Sequence, residues 1–222
     1  MENNMIYIAF LCVTVPMLFL LPIIKDKFAR TVVGYVIVGV FCCLLVSEIN
    51  GYILRGLNND YEYVTTVFTP VTEEIIKALP VLFFAFVFTD NREKLLSVGF
   101  ALGVGFAILE NIVILLQNFS TVSLIWALLR GFGAALMHGV CTGVVGLGLH
   151  FIHQKKKLFI PGSFALLVMS MTYHSIYNTL VQSQYKYFGF VLPLITFVIL
   201  FFITFRARLK VKNKKNQKEP TR

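Results

Sequence analysis

With 222 residues, 57% of them hydrophobic and only 14% charged, the chain carries more apolar surface than a soluble domain of its size can bury. Its net charge of +9 does not point to nucleic acid, because eight of the twenty Lys and Arg residues lie between Arg206 and Arg222 and most others sit in short loops on alternate sides of apolar runs. The four cysteines (Cys12, Cys42, Cys43 and Cys141) fall in apolar segments without a CxxC spacing, which argues against a disulfide framework or thiolate metal site and for small buried hydrophobes.

A bilayer-spanning helix needs about 20 apolar residues. The sequence predicts seven spans, near 5–24, 31–54, 69–88, 95–117, 121–150, 158–182 and 187–205. The fold class is therefore all-α, a polytopic membrane helix bundle forming one domain over 1–205, with a basic tail at 206–222. The first run follows Glu2 and no Lys or Arg, so it is expected to be a retained anchor rather than a cleaved signal. Lys25, Lys27 and Arg30, then Arg92 and Lys94, then Lys155, Lys156 and Lys157, all lie on one side of the predicted spans, against Arg55 and Lys186 on the other. By the positive-inside rule the amino terminus faces outside and the carboxyl terminus is cytoplasmic, with the tail held near anionic headgroups. The chain is expected in the cell membrane, with the lipid bilayer as its partner and no nucleic acid.

The informative residues are the titratable ones inside these spans: Glu48, Glu73, Glu74, Glu110, His138 and His174. A charge at the bilayer centre costs at least ~2.5 kcal/mol, so intramembrane carboxylates and imidazoles mark functional sites by default. Glu48, near the outer end of span two, either neutralises Lys77 or Arg130 or joins a site. In span three, Thr69 or Thr72 is expected to cap the helix that carries Glu73, Glu74 and Lys77. These two acids either favour the helix dipole, with Glu73 and Lys77 paired at i,i+4, or supply a carboxylate that activates water while Lys77 orients it. Gly103 and Gly105 with Ala101 and Ala107 allow close helix packing ahead of Glu110 and Asn111, two adjacent polar groups deep in span four. Span five looks too long, and Gly131 and Gly133 are expected to kink or break it before His138. In span six, His174 and Asn178 share one face at i,i+4, an arrangement that either clamps another helix or donates hydrogen bonds to an oxyanion. His150 and His153, next to Lys155 to Lys157, read as interfacial, and the 22 phenylalanines as packing residues. At about 1.5 Å per residue, spans three to six bring their polar groups to similar depth in the outer half of the bilayer, with His138 nearer the midplane.

Together, Glu73-Glu74-x-x-Lys77, Gly103-x-Gly105-Phe106-x-x-x-Glu110-Asn111, His138 and His174-x-x-x-Asn178 resemble the motifs of the PrsW family of intramembrane proteases, in the family's order and over roughly residues 65–180. The broader clan includes the CAAX prenyl-protease family, from which the chain departs: Glu110 stands at the second-motif His, and Lys77 keeps the PrsW spacing. PrsW members often end the last motif in Asp where this chain has Asn178. The resemblance implies peptide-bond hydrolysis in or beside the membrane, acting on a membrane-anchored protein such as an anti-sigma-factor-like regulator.

The leading expectation is a glutamic-type endopeptidase without a cofactor. Glu73 or Glu74, with Glu74 slightly ahead, deprotonates water; His174 and Asn178 stabilise the oxyanion; Glu110 and His138 orient water or shuttle the proton; Lys77 and Asn111 support them. An alternative is a zinc enzyme with Glu110, His138 and His174 as ligands, although no His-Glu-x-x-His helix is present. An alternative of another class is a proton-coupled transporter or a non-catalytic membrane scaffold, against which the chain shows no inverted repeat.

Overall fold

A computed structural model describes residues 2–150 and 156–218, with side chains left aside at 2–3, 156, 158 and 207–218. Among the described residues every regular element is helical: α1 Glu2–Leu20, α2 Lys27–Gly56, the single turn α3 Tyr61–Tyr63, a π-helical turn Val64–Phe68, then α4 Thr69–Val87, α5 Arg92–Gln117, α6 Leu124–Leu149, α7 Lys156–Gln182 and α8 Lys186–Lys218. Among the described residues five stretches are long and apolar enough to cross a membrane: α2, α5, α6, Phe159–Gln182 of α7 and Lys186–Arg206 of α8. The apolar part of α1, Asn4–Leu20, is shorter, and the 19 residues of α4 include Glu73, Glu74 and Lys77. The predicted interfacial His153, the loop cation Lys155 and the tail beyond 218 lie outside the described residues. The last helix continues past 205 as far as Lys218.

Local chemistry sets the helix starts. Asp26 caps α2 by accepting from Ala29 N at 2.6 Å; Asn91 caps α5 by accepting from Glu93 N and Lys94 N; Ser123 caps α6 by accepting from Trp126 N. After α2 the chain reverses through Asn58 and Asn59, both in the left-handed region (φ 55° and 62°) that asparagine tolerates better than other side chains. Asp60 then accepts from Tyr63 N and opens α3. This corrects the expected cap at Thr69 or Thr72. The helical path starts about two turns earlier and runs through the π-turn into α4, and Thr72 instead donates to Asn50 Oδ1 of α2 at 2.7 Å. Glu73 and Glu74 therefore lie well inside a helical segment, where the dipole of a first turn does not explain them.

The centre of the molecule is α5 against α6, whose most apolar windows are 56% and 72% buried, more than those of the other candidate spans. Lipid tails are as apolar as Leu, so close packing of small residues replaces hydrophobic drive between such helices. Gly105 of α5 lies against the Val36 backbone and Gly39 of α2 against the Leu102 backbone, so a Cβ on either would strike the opposing chain. On the other face of α5, Gly103 lies against the His138 carbonyl of α6. Apolar clusters flank this contact: Val81, Phe84, Leu95, Leu102 and Leu149 on one side, and Val40, Val46, Phe106 and Leu109 on another. α6 is continuous across Gly131 and Gly133, which corrects the expected break. Gly133 instead admits the Phe190 ring and the Tyr177 hydroxyl. Cys42, Cys43 and Cys141 are buried and free, as small core residues; Cys12 is exposed, which corrects its reading as buried.

Candidate active site

One turn of α4 presents Glu73, Glu74 and Lys77 toward the bundle interior, all of them at most 3% exposed. Pro70 and Pro80 lie in the same helix, and the tie from Thr72 to Asn50 fixes its rotation against α2. Lys77 Nζ donates to Glu74 Oε1 at 2.6 Å and to His138 Nδ1 at 2.8 Å, and lies 3.8 Å from Glu73 Oε2. Its ammonium also sits 4.7 Å from the centroid of the Phe106 ring, within the range of a cation–π contact.

His138 reaches this point because α6 approaches α5 at Gly103. Its Nε2 bonds Glu110 Oε2 at 3.1 Å. A lysine ammonium only donates and a carboxylate accepts, so the partners assign the neutral tautomer with the proton on Nε2 and the Nδ1 lone pair held by Lys77. Glu110 Oε1 lies 3.4 Å from Arg130 Nη2, two turns before His138 on α6. From α7, His174 donates through Nδ1 to Glu74 Oε1 at 2.9 Å, and its ring stands edge-on to His138 with centroids 4.9 Å apart. Four helices thus supply one connected chain: His174, Glu74, Lys77, His138, Glu110, Arg130. The Glu110 side chain is 22% exposed while those of Glu73, Glu74, Lys77, His138 and His174 are at most 4% exposed, so Glu110 is where this polar chain meets the surroundings.

The paired glutamates are not equivalent. Glu74 Oε1 has two donors, whereas Glu73 has none at Oε2; the Oε2 atoms of both are buried without a hydrogen-bond partner. Glu73 Oε2 lies 3.7 Å from His138 Nδ1 and 3.9 Å from His174 Nδ1, beyond hydrogen-bond length. His174 Nε2 is likewise buried and unpartnered. Counted as ionised, three carboxylates face two cations, with Lys77 shared between Glu73 and Glu74 and Arg130 beside Glu110, which leaves one negative charge in excess.

The remaining candidates are placed elsewhere or otherwise engaged. Asn178 donates through Nδ2 to the Thr65 carbonyl at 2.9 Å, so its amide holds the π-helical turn where an oxyanion donor was expected. Ser175 bonds the Thr66 carbonyl and Thr65 Oγ1 donates to Gln182, so α7 clasps this turn at three points. π-Turns of this kind recur at functional sites. Asn111 is buried with Oδ1 unpartnered. Glu48 is exposed and accepts from Tyr7 of α1 at 2.6 Å, which removes it from the site. His150 pairs with the Asp90 carbonyl at 2.5 Å. Sequence reading named Phe106 in the motif before Glu110 but gave it only a packing role; its ring lies 5.0 Å from that of His138. It also missed the Glu110–Arg130 pair and the π-turn.

Glu73, His138 and His174 offer ligand atoms within 4.8 Å of one another. That set differs from the expected Glu110, His138 and His174, because Glu110 lies on the far edge of the His138 ring. Two imidazoles and a carboxylate are a donor set that zinc uses; Glu73 Oε2 and His174 Nε2 are unpartnered, whereas both ring nitrogens of His138 are engaged, by Lys77 and Glu110.

A family model described as PrsW family intramembrane metalloprotease matches residues 26–205. No curated protein and no solved structure matches the chain.

Proposed function

The chain belongs to the PrsW family, is a multi-pass membrane protein and is an intramembrane protease, and we propose that it hydrolyses a peptide bond of a membrane-anchored protein with water activated by Glu73. The observation that carries this reading is the unequal partnering of the two glutamates: Glu74 is fixed through Oε1 by hydrogen bonds from Lys77 and His174, while Glu73 accepts no hydrogen bond at its buried Oε2 and is held there only by the 3.8 Å ion pair to Lys77. A buried carboxylate oxygen that accepts no hydrogen bond is costly in a resting protein and available as a base. One water that donates to both Glu73 Oε2 and the His174 Nε2 lone pair would have its own lone pair directed away from them, toward a substrate carbonyl.

In this scheme Glu73 takes a proton as the water oxygen adds to the carbonyl carbon. The tetrahedral intermediate then collapses, the C–N bond breaks, and the proton on Glu73 passes to the leaving amine nitrogen. Glu74 fixes the His174 tautomer. Lys77 has one N–H left after bonding Glu74 and His138, and places positive charge beside the developing oxyanion. Glu110 and Arg130 hold His138 from the other edge of its ring. Asn178 acts through the backbone: it anchors the π-turn and hence the register of Glu73. With α1 and α4 added to the five long apolar helices, the bundle crosses the bilayer seven times, amino terminus outside. The loop charges support this orientation, and the burial of Glu73, Glu74 and Lys77 against other helices supports α4 as a crossing.

A second reading is favoured by the Glu73, His138 and His174 donor set. Those three residues would hold zinc, which when bound supplies a Lewis acid and a water of lowered pKa. The test uses purified protein in liposomes with a reporter polypeptide that has a single apolar span, new termini being mapped by mass spectrometry. Termini within or beside the apolar segment are expected from the wild type and none from a Glu73→Gln, Glu74→Gln double variant. Undiminished cleavage by the double variant would eliminate the glutamate base. Activity lost to chelators and restored by zinc would favour the second reading.

A further inference from the structure

The cluster already contains a cation. Lys77 Nζ, fully buried, lies 2.6 Å from Glu74 Oε1, 2.8 Å from His138 Nδ1 and 3.8 Å from Glu73 Oε2, with the Phe106 ring centroid 4.7 Å away. These partners are the kinds of group that surround a bound metal: two carboxylates and an imidazole lone pair. Two of the three side chains that could hold a divalent ion, Glu73 and His138, thus face the ammonium.

The His138 lone pair makes the two cations exclusive. A neutral imidazole has one lone pair. Here it is on Nδ1 and accepts from Lys77, while the Nε2 proton goes to Glu110. While Lys77 stays, His138 has nothing to give a metal. Zinc bonds imidazole nitrogen at about 2.0–2.1 Å. Any ion at that distance from Nδ1 would therefore lie within roughly 5 Å of an ammonium 2.8 Å from the same atom, where two cations in a poorly screened interior repel strongly.

We propose that Lys77 is the resident cation of the Glu73, Glu74 and His138 cluster, occupying the place a divalent metal would take, so that a metal binds there only by displacing it. The proposal goes beyond the protease reading; it does not depend on which glutamate activates water, and it stands against the zinc reading.

Metal binding is read directly, without activity. The full chain, purified in detergent and stripped of metal, is titrated with zinc alone by equilibrium dialysis and with cobalt alone by its visible absorption. The wild type, Lys77→Met and a Lys77→Met, His174→Ala double variant are compared, with far-ultraviolet circular dichroism and thermal unfolding as folding controls. Lys77→Met is expected to bind one zinc per chain at least ~100-fold more tightly than the wild type, and the double variant to lose that gain. Equal or weaker binding by folded Lys77→Met overturns the proposal while leaving the protease reading intact. Should Lys77→Met not fold, the wild type decides: stoichiometric, nanomolar zinc that is lost in His174→Ala overturns the proposal, and its absence supports it.

Discussion

Gly103→Ala tests how the bundle positions its chemistry. A Cβ at Gly103 would overlap the His138 carbonyl oxygen and lie 2.7 Å from Gly139 N. Ordinary heavy-atom contact is ~3.5 Å, so α5 and α6 must separate by roughly 0.8 Å or more. The struck atoms are backbone, and no side-chain rotation relieves them. Overpacking of this kind costs about 1–3 kcal/mol. The residue displaced is His138, which links Lys77 to Glu110, and a shift near 1 Å at a catalytic group costs on the order of 100-fold in rate. Gly131→Ala is the matched control: it lies in the same α5–α6 region of the chain with nothing within 4 Å of its added Cβ, and Ala for Gly inside a helix gains up to about 1 kcal/mol. Thermal unfolding in detergent and cleavage of a single-span reporter in liposomes give the two readouts. Gly103→Ala is expected to lose both stability and rate, and Gly131→Ala neither. Equal behaviour of the two variants would refute the claim that close α5–α6 contact places His138.

Glu74→Gln keeps an amide oxygen that can accept but removes the charge that neutralises buried Lys77 and strengthens the bond from His174; breaking a buried pair costs about 3–5 kcal/mol, so thermal unfolding should report a large loss. Asn178→Ala should destabilise by about 1–2 kcal/mol, the price of one buried backbone carbonyl losing its donor, and hydrogen exchange should report faster opening around the π-turn at Val64–Phe68; unchanged exchange there would dissociate Asn178 from the turn. Tyr7→Phe removes only an exposed bond to Glu48, and both cleavage and unfolding should stay within about 0.5 kcal/mol of the wild type.

Much of this arrangement was legible in the sequence because membrane burial makes polar residues expensive. Glu73, Glu74, Lys77, Glu110, His138 and His174 stand out against apolar spans for that reason, and helical periodicity put them at comparable depth. Five of the seven predicted spans meet the length and apolarity needed to cross a membrane. What escaped was set by contacts that leave little trace in a single chain. Tyr61 to Phe68 reads as a polar, β-branched connector, yet α7 supplies the side chains that hold it helical through Thr65 and Thr66. The expected break at Gly131 and Gly133 failed because glycine serves close approach as readily as bending: Gly133 makes room for Phe190. Glu48 has the same chemistry as Glu110 but faces α1, and only packing separates the two. Phe106 read as a packing residue until its ring proved to roof both Lys77 and His138.

The central claim is that Glu73, whose buried Oε2 accepts no hydrogen bond, is the base. Its most direct test is the cleavage rate of Glu73→Gln in liposomes, measured on protein shown to be folded by its thermal unfolding. The account predicts a loss of at least ~100-fold, in the range typical of removing a general base, with a smaller loss of stability than Glu74→Gln because no hydrogen bond to Oε2 is broken and Lys77 keeps its closer pair with Glu74. Cleavage at the wild-type rate by this folded variant would contradict it.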